Sequence, residues 1–170
     1  MMTEQTNPKA NSARKTVLVD LALQGGGSHG AYTWGVLDRF LEETWMEFDG
    51  ISGTSAGAMN AAVMADGLAA GGREGARKAL EKFWRTVADA ALLSPFRRGP
   101  IEILTGKWTL DYSPAFVAAD LSTRLYSPYS SFFNSENPLN KILEECVDFK
   151  RLASTTIPRL FITATNVNSG

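Results

Sequence analysis

Two glycine-rich turns in the first third of the chain hold the residues best suited to chemistry: Gly25-Gly26-Gly27-Ser28-His29-Gly30 and Gly53-Thr54-Ser55-Ala56-Gly57. Glycines without Cβ atoms let several backbone N–H groups converge on one negative charge, as an oxyanion hole requires. The second turn reads Gly-x-Ser-x-Gly, in which Gly53 and Gly57 are small enough for a strand and a helix to meet at a sharp elbow with Ser55 at the apex. A serine there stands at a helix N-terminus, where the amide of Ala56 has no acceptor within the helix and the dipole favours an anion. A raised hydroxyl and converging amides are the two halves of an acyl-transfer site. The plain alternative is a tight strand-to-helix turn with a serine N-cap.

The first turn supports a different reading as well. Gly25-x-Gly27-x-x-Gly30, after a strand and before a helix, fits the dinucleotide-binding fingerprint, with Asp49 near the distance expected for a ribose contact. Against it, Asp49 runs directly into Gly50 and the second turn. Thr44-Trp45-Met46-Glu47 is also a poor match to a hydrophobic strand ending in an acid. A structural turn without ligand is the third option.

A group to take the serine proton is harder to find. His29 is the only histidine, and inside an anion-binding loop it suits donation to an anion, or the surface, better than general base catalysis. Asp20, Asp49, Asp66, Asp111, Asp120 and Asp148 sit in no glycine-flanked loop that would mark a base. Cys146 follows Glu144-Glu145, which disfavours a thiolate, and reads as core. Arg97-Arg98 reads as a solvated loop. Tyr126, Tyr129, Phe132 and Phe133 suit the packing of a cap better than a lipid-access surface.

The elements that must position these turns follow from hydrophobic pattern. Thr16–Leu23 is a β-branched apolar run expected to form a buried parallel strand, and Ala31–Glu43 places Tyr32, Val36, Leu37, Phe40 and Leu41 at helical spacing. A strand over Phe48–Ser52 leads into the serine. A helix over Ala56–Ala70, with Met59, Val63 and Met64 as larger apolar contacts, is ended by Gly71-Gly72. Gly75–Ala91 reads as a helix with Leu80, Phe83, Trp84 and Val87 on its apolar stripe, and Pro95 and Pro100 mark loop beyond it. Asn137–Cys146 opens with a helix-start signal, and Arg159–Thr165 is a further buried-strand candidate.

Alternating strands and helices give an α/β chain. The expectation is one domain over residues 16–170 preceded by a disordered polar tail over 1–15. Three convincing strands are few for such a sheet, so a C-terminally truncated domain is expected. With 17 basic and 18 acidic residues among 170, the chain lacks the basic face that nucleic-acid binding needs. A lone cysteine and the lack of a secretory leader favour a cytoplasmic location.

On LALQGGGSHGAYTWGVLDRFLE and FDGISGTSAGAMNA, in that order and spacing, the chain resembles the patatin-like phospholipases, serine acyl hydrolases that use a Ser-Asp dyad. SPYSSFFNSENPLNKILEECVDFKRL and LFITATNVNSG look like the corresponding segments of bacterial members. The resemblance implies a three-layer α/β/α fold with a mainly parallel sheet, Ser55 as nucleophile and Gly25–Gly27 as the oxyanion hole. It also implies a lipid ester substrate, peripheral contact with lipid surfaces, and no metal or cofactor. In the family the base lies in an Asp-Gly dipeptide well beyond the strand that ends near Thr165. The dipeptides at 49–50 and 66–67 do not occupy that place, so the aspartate is expected beyond residue 170, and residues 1–170 alone are expected to be inactive. His29 stands where the family often has arginine or lysine.

Overall fold

The computed structural model describes residues 14–92 and 138–166. Most of the tail, the Arg97-Arg98 step, Asp111, Asp120, the loop prolines Pro95 and Pro100, and the aromatic cluster 126–133 lie outside the described residues. The chain divides into two compact units, Met1–Arg85 with Ile142–Gly170, and Thr86–Lys141. The described part of the second unit is helical, comprising the end of one helix and the start of another.

The first unit is α/β. Its elements run β1 (Val17–Leu23), a single 3-10 turn (Gly27–His29), α1 (Gly30–Glu42), β2 (Met46–Thr54), α2 (Ala56–Leu92), α3 (Pro138–Cys146), α4 (Phe149–Ser154) and β3 (Arg159–Thr163). The strands form one parallel sheet in the order β1-β2-β3. Leu23 pairs with Gly53 and Thr54 with Thr163, so all three strands end level at one edge. Ligands of open parallel sheets bind outside that carboxyl edge. Phe48 lies opposite Val19 and Gly50 opposite Asp20, leaving Asp49 as the extra residue of a bulge.

α2 is two helical arms joined at Gly71-Gly72, where Gly72 takes φ 62°. The first arm ends where the double glycine predicts. Leu37 and Leu41 of α1, Phe48 and Ile51 of β2, Val63, Met64, Leu80, Phe83 and Trp84 of α2, and Ile142 and Val147 form the core. Arg73, just past the kink, donates to the carbonyls of Leu41 and Met46, fixing the end of α1 and the start of β2. No helix among the described residues is long and apolar enough to cross a membrane.

The structure differs from three expectations of the sequence and adds one helix. The apolar spacing in α1 does not all face inward: Leu37 and Leu41 are buried, whereas Tyr32 is 79% exposed. The helix instead turns Gly30 toward the ring of Trp84. β2 begins at Met46, ahead of Phe48, because parallel pairing of Val17 with Met46 carries the ladder through Glu47. β1 and β3 are parallel but poorly covered, with Leu18 and Phe161 both more than half exposed, since they flank β2 on either side. α4 was unsignalled by apolar pattern. Asp148 starts it by accepting from the backbone N–H groups of Lys150 and Arg151, a side-chain N-cap.

Candidate active site

Ser55 follows β2 directly and precedes the first residue of α2, and its φ of 54° makes it the one non-glycine residue in the left-handed region among the described residues. That conformation costs roughly 1–2 kcal/mol for a side chain with a Cβ. Surrounding packing holds it there: a Cβ on Gly57 would stand 2.2 Å from the carbonyl oxygen of Leu23, and one on Gly53 would stand 2.6 Å from the Gly57 backbone. Both elbow glycines are therefore required by close backbone approach. Ser55 itself is exposed, while Ala56 and Gly57 are buried beneath it.

The glycine turn meets this elbow. A Cβ on Gly25 would lie 3.0 Å from the Thr54 carbonyl oxygen and 3.2 Å from Ser55 Cβ. A Cβ on Gly30 would lie 2.9 Å from that of Ala56. Between these two contacts Gly26 and Gly27 take φ values of 150° and 56°, which side chains rarely adopt. Among the described residues, the N–H groups of Gly26, Gly27 and Ala56 have no hydrogen-bond acceptor. Ser28 and His29 are exposed in the short 3-10 turn that follows. The Nδ1 and backbone N–H of His29 both donate to the Gly26 carbonyl at 3.1 Å.

Two further contacts stiffen the junction. Asn60, fully buried one turn into α2, donates from Nδ2 to the Gly30 carbonyl at 3.0 Å and accepts at Oδ1 from the Trp84 indole at 2.8 Å. It ties the serine helix to the end of the glycine turn. Sequence reading passes over it, although an amide within an alanine-rich apolar helix is the signal that could have found it, since a buried amide needs partners. On the other flank the hydroxyls of Thr54 and Thr163 hydrogen-bond across the ends of β2 and β3.

Among the described residues, the carboxylates weighed as bases lie away from Ser55 or are engaged by other groups. Asp20 pairs with Gly50 in mid-sheet, five strand residues or about 16 Å from Ser55. Asp49 forms an ion pair with Arg159. Held there, it is too far down β2 to serve a ligand at the glycine turn, which removes the ribose-binding acid from the dinucleotide reading. Asp66, only 2% exposed, is gripped at both oxygens by Arg151, at 2.8 and 2.7 Å, and accepts from the Asp148 N–H. The hydrogen bond to Asp66 raises the Arg151 guanidinium above its ordinary value. Cys146, expected in the core, is half-buried. Among the described residues no side chain hydrogen-bonds the Ser55 hydroxyl.

The described residues form an α/β protein whose parallel sheet carries Ser55, at positive φ, beyond its carboxyl edge with the glycine turn packed against it. The family model described as patatin-like phospholipase matches residues 21–169, and the chain belongs to that family, one of lipid acyl hydrolases. Neither a curated protein nor a solved structure matches the chain.

Proposed function

We propose that the protein is a serine hydrolase of lipid esters, a phospholipid or lysophospholipid being the substrate, with Ser55 as nucleophile. The observation that carries this reading is the contact of Gly25 with Ser55, which sets the turn bearing the free Gly26 and Gly27 amides beside the serine. Ser55 Oγ attacks the ester carbonyl as its proton passes to a base, and the N–H groups of Gly26, Gly27 and Ala56 hold the oxygen that becomes negative. Collapse of the tetrahedral intermediate expels the alcohol, which takes the proton back. Water then enters the acyl-enzyme by the same route, releasing the fatty acid and restoring the serine.

The base in this scheme is an aspartate outside the described residues. A solvated aspartate with pKa ~3.9 is a weak acceptor for a serine proton. The scheme therefore requires a shielded carboxylate with raised basicity, held against the hydroxyl. A cytoplasmic location with peripheral contact at lipid surfaces fits the same reading.

A fluorophosphonate probe tests it in the full-length protein. Labelling that disappears in Ser55→Ala is the expected result. Binding of NAD(P), or of lipid, without any labelling would overturn it. Gly26→Val tests the loop: a side chain at φ 150° is strained, and loss of one oxyanion donor lowers turnover by ~10²–10³.

A further inference from the structure

We infer that His29 is a positioning residue, which latches the Gly26–Gly27 peptide in the orientation that presents the Gly27 N–H to the substrate oxygen. The inference rests on the serine-hydrolase reading and names a role for the one histidine of the chain. Three observations lead to it. The peptide between Gly26 and Gly27 is flanked by glycines on both sides, at φ 150° and 56°, and so has no Cβ to resist rotation of its plane. Its carbonyl oxygen is held by two donors of the same residue, the His29 backbone N–H and Nδ1, each at 3.1 Å. In a trans peptide the N–H points opposite to the C=O, so a carbonyl anchored toward His29 turns the Gly27 N–H away from it. That N–H is among those left without an acceptor.

A carbonyl only accepts, so the contact fixes the proton of the ring on Nδ1. The ring curls back over its own turn, its Cβ standing 3.5 Å from where a Gly26 Cβ would be, and it makes no hydrogen bond to Ser55. This arrangement stabilises the donor geometry ahead of the reaction, when reorientation of a free peptide would otherwise oppose it. A residue of this kind affects the transition state more than substrate binding.

Ester turnover by the full-length protein, measured for His29→Leu and His29→Asn, tests the latch. Leucine removes the side-chain donor, whereas the asparagine Nδ2 can take the place of Nδ1. His29 is exposed, so both variants keep the core. His29→Leu is expected to lower kcat about tenfold with KM within about twofold of wild type, a fraction of the loss from removing a donor outright. His29→Asn is expected to recover most of that loss. Wild-type kcat in His29→Leu would overturn the latch, as would equal losses of a thousandfold or more in both variants, the result expected of a general base. Turnover that survives Ser55→Ala would overturn the hydrolase reading and the latch together, whereas turnover that depends on Ser55 but not on His29 would overturn the latch alone.

Discussion

Gly25 stands against Ser55 so closely that a methyl group on it would come within 3.2 Å of Ser55 Cβ and 3.0 Å of the Thr54 carbonyl oxygen. These separations are tighter than ordinary van der Waals contact, and the oxygen belongs to backbone that is paired in the sheet. Gly25→Ala must therefore displace either the serine or the glycine turn. Small misplacements of reacting groups have large kinetic effects. Fluorophosphonate labelling is expected to slow by about tenfold or more, with the helical circular dichroism of wild type retained.

The left-handed conformation of Ser55 predicts a separation between activity and stability. Ser55→Ala and Ser55→Gly both remove the nucleophile, but only glycine adopts φ 54° without a Cβ penalty. Thermal or urea unfolding should find Ser55→Gly more stable than Ser55→Ala by about 1 kcal/mol, after allowance for the greater freedom of glycine in the unfolded chain. Equal stabilities would mean that the serine is not strained.

Asn60 satisfies the Gly30 carbonyl and the Trp84 indole at once, inside the core. Asn60→Leu leaves the buried Trp84 indole N–H without a partner, a loss of about 1–3 kcal/mol. Adding Trp84→Phe removes the orphaned indole N–H, so the double variant should lose less than the sum of the two single changes. Urea denaturation of the three proteins measures that coupling.

Acid should loosen α4. The backbone N–H of Arg151, then that of Lys150, hold the Asp148 carboxyl below its ordinary range. A carboxylate whose pKa is depressed by folding stabilises the protein above its unfolded value of ~3.9 and ceases to do so as pH falls through the lower folded value. Asp148→Ala should therefore lower the urea midpoint at neutral pH, and the gap from wild type should narrow below about pH 4.

The elements bearing chemistry are readable from sequence because they rest on local rules. Triple glycine after an apolar run, and Gly-x-Ser-x-Gly between strand and helix, each demand a particular backbone path, and both are found where the residues place them. What escapes is decided by tertiary contact. Tyr32, Val36 and Phe40 recur every four residues beside the row of Leu37 and Leu41, yet Trp84, distant in sequence, takes the space at Gly30 and the row of Leu37 and Leu41 is the one buried. Asp66 followed by glycine has the form of a catalytic dipeptide, but Arg151 on a later helix claims its carboxylate. The dinucleotide fingerprint of Gly25, Gly27 and Gly30 calls for an acid near the strand ends, whereas Asp49 is a bulge residue lower in β2 and pairs with Arg159 on β3. Asn60 has no sequence motif, and its role lies in two partners on other elements.

In the proposed mechanism the Ser55 hydroxyl attacks the carbonyl carbon whose oxygen the amides of the glycine turn receive. A crystal structure of the full-length protein carrying a phosphonate on Ser55 tests it most directly. The expected result is a phosphonyl oxygen about 2.7–3.1 Å from the N–H groups of Gly27 and Ala56, with Gly26 alongside. A phosphonyl oxygen turned to solvent, with those amides bonded to other groups or to none, would contradict it.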